Sequence, residues 1–364
     1  MATLALLGDY ATRNFGDLLI ADRLAHSAIK SDANVIRVEG ATPELRNSTA
    51  IKNLSWWNLG SCNRAVFGGG GFFNDVSPDR IARFQRFARL SQRFKANGIP
   101  YDIIGTGAGP MQTPEGSECL REICNGAKII CVRDPESRDL LTQSGVNPQH
   151  ISVTGDWAAE LKPEDIPPQA TNAAAQLLPP DDGRPLIGLH LLPFTRSTEL
   201  AAHMLQLVHE ALKSKPDARI CWIFENRDSR LPKVLRAARG YPRDFLALPR
   251  QPYWVTAALL QRMSLVITSQ LHVGIVSWAL GVPVCGFSTH PKTKRFFNQI
   301  GRARFQIDQQ EDLSPIREWI EAWCQNPNDF RDCPQARQRT LQAAASNHTA
   351  LAQLLSFAPT PTTP

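Results

Sequence analysis

The sequence predicts an α/β protein of two doubly wound, Rossmann-like halves facing each other across a cleft, with further helices toward its C-terminal end. Three observations predict it. Short apolar runs alternate with helix-like stretches, which is the pattern of parallel strands covered on both faces. The alternation is interrupted by one Pro-rich segment, and beyond that segment it restarts in the same form.

In the first half the strand-like runs are residues 4–7, 35–38, 64–67, 101–104, 129–132 and 151–153. From Lys162 to Pro185 the composition shifts to Pro, Ala, Gln and Asp, and prolines at that density argue against a central strand or a long helix. The segment therefore reads as a boundary, with an N-terminal domain at 1–165, a linker at 166–185 and a second domain at 186–312. Strand-like runs in the second domain are residues 186–189, 218–224, 245–248, 265–268 and 283–286. The region 313–357 reads as C-terminal helices, and the tail 358–364, poor in apolar residues, is expected to be disordered.

With 364 residues, 43% hydrophobic and 20% charged, the chain is a globular protein with material for one large core or two ordinary ones. No run of apolar residues is long enough to span a membrane, and the apolar start stops at Gly8 and Asp9 with no basic leader before it. The expectation is a cytoplasmic protein. Its 40 Lys and Arg against 34 Asp and Glu give a net charge of +6, which suits an anionic small substrate at least as well as nucleic acid, and no nucleic-acid partner is expected. Eight cysteines occur singly, several inside apolar runs, and read as buried free thiols. No metal-ligand cluster is evident, so no metal is expected.

In doubly wound sheets, ligands bind outside the carboxyl ends of the strands, so the residues following each strand are the candidates for chemistry. The first strand runs into Gly8-Asp9-Tyr10-Ala11-Thr12-Arg13-Asn14-Phe15-Gly16-Asp17 and then a helix, a geometry that presents backbone N–H groups to an anion or a sugar. Asp17 reads either as the helix N-cap or as a ligand contact; Asn14 and Gly16 are harder to explain by capping alone. Next come Gly68 to Gly71, followed by Phe72-Phe73-Asn74-Asp75. Four successive glycines are conformationally costly, and imply a close approach of backbone to ligand or of helix to sheet. A third glycine-rich loop, Gly105-Thr106-Gly107-Ala108-Gly109-Pro110, lacks the dinucleotide fingerprint. Arg133, at another strand's end, is suited to a carboxylate or phosphate, or to a salt bridge with Asp134; Asp156 joins the same edge.

In the second half, Ser269-Gln270-Leu271-His272 begins a helix straight after a strand, where the positive end of the helix dipole favours anions. A backbone-bonded core histidine is the alternative for His272. His290-Pro291-Lys292-Thr293-Lys294-Arg295 follows the next strand and offers cations to a phosphate. Residues 79–95 read as a surface helix whose Arg80, Arg83, Arg86, Arg89 and Arg93 form a solvated basic face, with contact to an anionic lipid or polymer as the alternative.

Taken in order, Asn14-Phe15-Gly16-Asp17, Gly68-Gly69-Gly70-Gly71-Phe72, Gly105 to Pro110, Val132-Arg133-Asp134 and Leu271-His272 leading to Gly281-Val282-Pro283 make the chain resemble the polysaccharide pyruvyl transferase family over about residues 4–300. The resemblance implies a GT-B-like two-domain fold and transfer of a pyruvyl group from phosphoenolpyruvate, as donor substrate, onto two hydroxyls of a sugar to form a ketal. No separate cofactor is implied. The acceptor is a sugar or glycan precursor of a polysaccharide or exopolysaccharide, free or lipid-linked at a membrane surface. The N-terminal domain then takes the acceptor and part of the donor site, and the second domain takes the donor.

On this resemblance His272 is the acid/base and Arg133 the anion clamp; Ser269, Gln270, Lys292, Lys294, Gly69 and Gly70 bind the donor, while Asn14, Gly16, Asp17 and Asn74 bind the acceptor. Two departures stand out. Gln270 occupies the place of a family arginine, and Thr289-His290-Pro291-Lys292 replaces a segment of aromatic-Asp-Pro-Lys type. A sugar-nucleotide glycosyltransferase, with Glu225 as a ribose contact, and a catalytically inactive ligand-binding relative are the competing readings.

Overall fold

Strand and helix alternate through two parallel sheets in the computed structural model, which describes residues 2–12, 14–47, 51–191, 198–223, 245–287, 290–308, 312–330 and 332–356, with the backbone alone at 56, 57 and 198–201. The chain divides into two compact units, Met1–Glu160 with Leu341–Pro364, and Leu161–Thr340. Glu225, Thr289 and the tail 358–364 lie outside the described residues.

The first unit holds β1 (Ala2–Leu7), β2 (Ala33–Glu39), β3 (Ile51–Leu54), β4 (Arg64–Gly68), β5 (Tyr101–Thr106), β6 (Ile130–Val132) and β7 (Ile151–Val153), all parallel, in the order β3-β2-β1-β4-β5-β6-β7. The second holds β8 (Leu186–His190), β9 (Arg219–Ile223), β10 (Phe245–Leu248), β11 (Leu265–Thr268), β12 (Val284–Phe287) and β13 (Gln306–Ile307), again parallel, in the order β10-β9-β8-β11-β12-β13. Each sheet reverses its direction of growth once, between β1 and β4 and between β8 and β11. These are the topological switch points at which doubly wound sheets bind ligands. Two strands were not expected. In β3 the central Lys52 and Asn53 are exposed at the sheet edge, and β13 is only two residues long, so neither forms an apolar run.

Many of the 27 prolines start helices instead of interrupting the fold. Four cap-proline pairs, Thr42-Pro43, Ser77-Pro78, Thr113-Pro114 and Asp134-Pro135, open α2 (Pro43–Arg46), α3 (Pro78–Ala96), α4 (Pro114–Cys124) and α5 (Pro135–Gln143). The capping side chain accepts from a backbone N–H one turn on, and proline takes a position whose own N–H has no helical partner. The same rule applies within the Pro-rich segment 166–185, where Pro167 and Pro168 begin the ten-residue α6 (Pro168–Leu177).

The first unit's core is rich in aromatic contacts. Helix α3 turns Phe84, Phe87 and Phe94 inward, where Phe67 of β4 meets Phe87 at 5.6 Å and Tyr101 of β5 at 5.5 Å between ring centroids. Phe72 and Phe73, directly after the glycine run, are also fully buried and pack on Phe87 and Phe84. Such pairs add about 0.5–1.5 kcal/mol each beyond the area they bury, and here they anchor the loop that carries the glycines. The last helix, α12 (Pro334–Ser356), contributes its residues from Leu341 onward to the first unit. There the buried Asn347 accepts from Thr154 Oγ1 at 2.7 Å and donates to the Gly155 carbonyl at 2.8 Å.

Candidate functional site

In the first unit the switch point brings the β1 loop against the glycine run. Helix α1 (Phe15–Lys30) is capped by Asn14, whose Oδ1 accepts from the Gly16 and Asp17 N–H groups at 3.0 and 3.3 Å. The N-cap is thus Asn14 and not Asp17, and capping does account for Asn14. Asp17 lies in the helix's first turn, with its carboxylate over the glycines: a Cβ on Gly70 would stand 2.7 Å from Asp17 Oδ1. Gly69 and Gly70 have φ of 72° and 75°, the left-handed region that favours glycine. A Cβ on Gly69 would also overlap Ile20 of α1, so the absence of side chains first serves the approach of helix to sheet.

The glycine loops extend the sheet. Past the ends of β4 and β5, Gly69 N–H donates to Ile104 O at 3.1 Å, Gly107 N–H to Gly70 O at 2.8 Å and Gly109 N–H to Phe73 O at 2.7 Å. Asn74 closes its own turn, donating from Nδ2 to Gly71 O at 3.1 Å. Asp75, 2% exposed, accepts from the Gln112 and Thr113 N–H groups at 2.7 Å and so ties the run to the start of α4.

Arg133 sits between these two loops. A Cβ on Gly71 would stand 3.0 Å from its Nη2, and one on Gly107 would overlap its Nε. Its guanidinium is buried and paired with two buried carboxylates, Asp156 Oδ2 at 3.1 Å from Nη1 and Asp134 Oδ2 at 3.4 Å from Nε. Asp134 also caps α5 by accepting from Ser137 N–H, and Ser137 Oγ accepts from Ala108 N–H at 2.8 Å. Of the two readings of this strand-end arginine, a bound carboxylate or phosphate and a salt bridge with Asp134, the salt bridge is present.

In the second unit Gln270 is the N-cap residue of α9 (Leu271–Ala279), and its side chain makes no capping bond. The turn is closed instead by Thr268, whose Oγ1 accepts from Gln270 N–H at 3.0 Å. Ser269 N–H donates to His190 O at 3.0 Å, and Thr268 and His190 are register partners across β11 and β8. Ser269, Gln270, His272 and His190 are all 5% exposed or less, at the switch point of the second sheet. His190 is a residue the sequence reading missed. Its signal was the one that singled out Arg133, a titratable side chain closing a buried strand. Lys292 and Lys294 lie in the first turn of α10 (Pro291–Gln299), after β12, with Lys294 exposed.

The basic helix α3 is less free than expected. Arg80 and Arg83 both pair with Asp9 of the β1 loop, and Arg86 pairs with Glu39 at the end of β2. Between these carboxylates Tyr10 is fully buried and donates to Gly68 O. Burial first, then Asp17, Asp9 and Glu39, hold its phenol well above the ordinary tyrosine range, so it stays a neutral donor. Among the described residues no cluster of three or more His, Cys, Asp or Glu side chains has the arrangement of a metal site, and no helix is long and apolar enough to cross a membrane.

The sequence profile of the polysaccharide pyruvyl transferase family matches residues 14–291. No curated protein matches the chain. Among solved structures it is similar to the UDP-GlcNAc 2-epimerase of Neisseria meningitidis bound to UDP-GlcNAc, with a TM-score of 0.66 at 12% identity, covering 98% of this chain and 99% of that one. The UDP-GlcNAc 2-epimerase of Methanocaldococcus jannaschii gives 0.66 at 12% identity over 97% and 99%. Anabaena Alr3699/HepE in complex with UDP and glucose gives 0.59 at 10% identity over 98% of each chain. At these identities the likeness establishes the fold, two parallel-sheet α/β units of GT-B type.

Proposed function

Because the chain belongs to the polysaccharide pyruvyl transferase family, a family of transferases, we propose that it moves the pyruvyl group of phosphoenolpyruvate onto two hydroxyls of a sugar, forming a cyclic ketal. The observation that carries this reading is the span of the family match. Residues 14–291 take in the motif loops at both switch points, from the Asn14 cap to Pro291 at the start of α10.

The chemistry needs a proton on the donor's methylene carbon, charge compensation for its carboxylate and phosphate, and removal of a proton from each attacking hydroxyl. On this reading His272 delivers the proton, the methylene becomes a methyl group, and the first hydroxyl adds to the adjacent carbon as its own proton passes back to His272. The second hydroxyl then displaces phosphate, which leaves with that hydroxyl's proton. The start of α9, with Ser269 and Gln270, and the cations Lys292 and Lys294 of α10 take the donor's anionic groups. In the first unit Arg133, held in orientation by Asp134 and Asp156, presents a fixed cation to the substrate's carboxylate. Gly71 and Gly107 keep the backbone open beside it, Gly69 and Gly70 of the same run take part in the donor site, and Asn14, Gly16, Asp17 and Asn74 border the acceptor. The donor is an intracellular metabolite, so the reaction belongs in the cytoplasm, on an exopolysaccharide precursor.

A sugar-nucleotide reading has one observation in its favour, the UDP and UDP-sugar ligands of the structural neighbours. Calorimetric titration of the protein with phosphoenolpyruvate and with UDP-GlcNAc separates the two. Phosphoenolpyruvate binding, followed by phosphate release when sugar diols are added, supports pyruvyl transfer. Binding of UDP-GlcNAc without any of phosphoenolpyruvate at millimolar concentration overturns it.

A further inference from the structure

A cavity of about 460 Å³ opens in the first unit at the carboxyl ends of β2 and β3, between that sheet edge and α3. Its volume lies in the range of small-molecule sites, roughly 300–1,000 Å³. Leu54 and Leu59, 6% and 2% exposed, form an apolar floor; Asn53 and the Glu39–Arg86 ion pair supply polar groups, and Arg89 stands at the rim. Neighbouring strands of a sheet lie about 4.8 Å apart, so the cavity begins one strand from the β1 loop. Gly40, which lines the cavity, abuts that loop directly, since a Cβ there would stand 2.9 Å from Ala11 Cβ.

Such a lining is amphipathic in the way a sugar ring is, with leucines for its C–H face and amide, carboxylate and guanidinium groups for its hydroxyls. The charge balance is more specific. Glu39 neutralises Arg86, whereas the exposed Arg89 has no ion-pair partner among the described residues. The lining therefore includes one guanidinium outside any ion pair, its charge also felt by Cys119 of α4, and the planar fork of a guanidinium binds an oxyanion in bidentate fashion.

We propose that this cavity is a subsite for a sugar bearing an anionic group, next to the reacting sugar in the acceptor glycan. The proposal rests on the reading of the chain as a glycan-modifying transferase. The anion is the carboxylate of a uronic acid or the phosphate ester of a glycosyl phosphate, which share the chemistry that Arg89 recognises.

Ligand-observed NMR titration, in the absence of phosphoenolpyruvate, with glucuronate, glucose 1-phosphate and glucose is the test. At least one anionic sugar is expected to bind tenfold or more tightly than glucose, and the preferred one identifies the anion. Arg89→Gln, at an exposed position where the fold is expected to persist, is expected to remove that preference and leave the thermal midpoint unchanged. Equal binding of all three sugars, no binding of any up to 50 mM on the scale of weak fragments, or an unaltered preference in Arg89→Gln overturns the proposal. Phosphoenolpyruvate binding is measured separately, so the failure of pyruvyl transfer and the failure of this subsite are distinct results.

Discussion

Arg133 Nη1 lies 3.1 Å from Asp156 Oδ2, and both side chains are less than a tenth exposed. A guanidinium so held ties two buried carboxylates together, because Asp134 takes its other edge at 3.4 Å. The pairing fixes the direction in which the remaining N–H groups point, toward the gap left by Gly71 and Gly107.

Arg133→Ala is therefore expected to do two things. Leaving two buried carboxylates without their cation costs about 3–5 kcal/mol of stability, read as a fall in the urea midpoint. Loss of a charge-assisted contact weakens phosphoenolpyruvate binding by about 1.5–3 kcal/mol. An unchanged urea midpoint would show that the pairs do not hold the loops, and unchanged donor affinity would remove Arg133 from the site.

Asp102 gives the first unit a pH-dependent term. It is fully buried in β5, accepts from the Lys128 and Ile129 N–H groups through Oδ1, and has no partner for Oδ2 among the described residues. Burial, only partly offset by those two bonds, raises its pKa from 3.8 to about 6. A raised carboxyl pKa means the native state holds the proton more tightly than the unfolded chain. The stability this contributes is fully present below about pH 4 and is lost as pH rises through about 6, an effect of about 3 kcal/mol. Asp102→Asn keeps the acceptor without the charge. It is expected to be more stable than the native protein at pH 8 by about 1–3 kcal/mol, with the advantage gone near pH 4. Parallel stability curves across that range would refute the assignment.

The cysteines provide a check on packing and on compartment. All eight are free thiols; Cys62, Cys124, Cys131, Cys221 and Cys285 are buried, Cys119 and Cys324 half-buried, and Cys333 exposed. Burial pushes Cys131, Cys221 and Cys285 up to about 12, which keeps them protonated and unreactive. Thiol titration is expected to find Cys333 fast in the native protein, Cys119 and Cys324 slower, and eight groups after denaturation. A count of four or fewer after denaturation would contradict both the free thiols and a reducing compartment.

Much of the fold was legible because parallel strands buried on both faces are written as apolar runs, and eleven such runs recur as strands. The two short edge strands were not, since edge position removes the need for apolar side chains on both faces. The motif loops were legible as positions but not as partnerships. Nothing local in the sequence says that Gly70 is open because Asp17 of α1 overhangs it, or that Arg80, Arg83 and Arg86 of α3 converge on Asp9 and Glu39. Asp102 was visible as an acid inside an apolar run and His190 as a histidine ending one, yet both signals are single residues whose meaning depends on neighbouring strands.

His272 and Gln270 carry the decisive test of the reaction. His272, 5% exposed in the first turn of α9, is expected on replacement by Gln to lower turnover about 10²- to 10⁴-fold, the range for losing one positioned proton-transfer group, while phosphoenolpyruvate still binds. Turnover within a few-fold of native would remove it from the acid/base role. Gln270, without a capping duty, stands where the resemblance to the family leads one to expect an arginine, so Gln270→Arg adds a cation at the mouth of α9 beside Ser269. If native protein releases phosphate from phosphoenolpyruvate with a sugar diol and Gln270→Arg slows it, the donor site has been rebuilt around the neutral amide. If native protein is silent and Gln270→Arg gains turnover, the chain is an inactive relative whose lost charge is restored. Silence in both, with no phosphoenolpyruvate binding at millimolar concentration, rules out pyruvyl transfer, because a site carrying both His272 and an arginine at position 270 has then failed to recognise the donor.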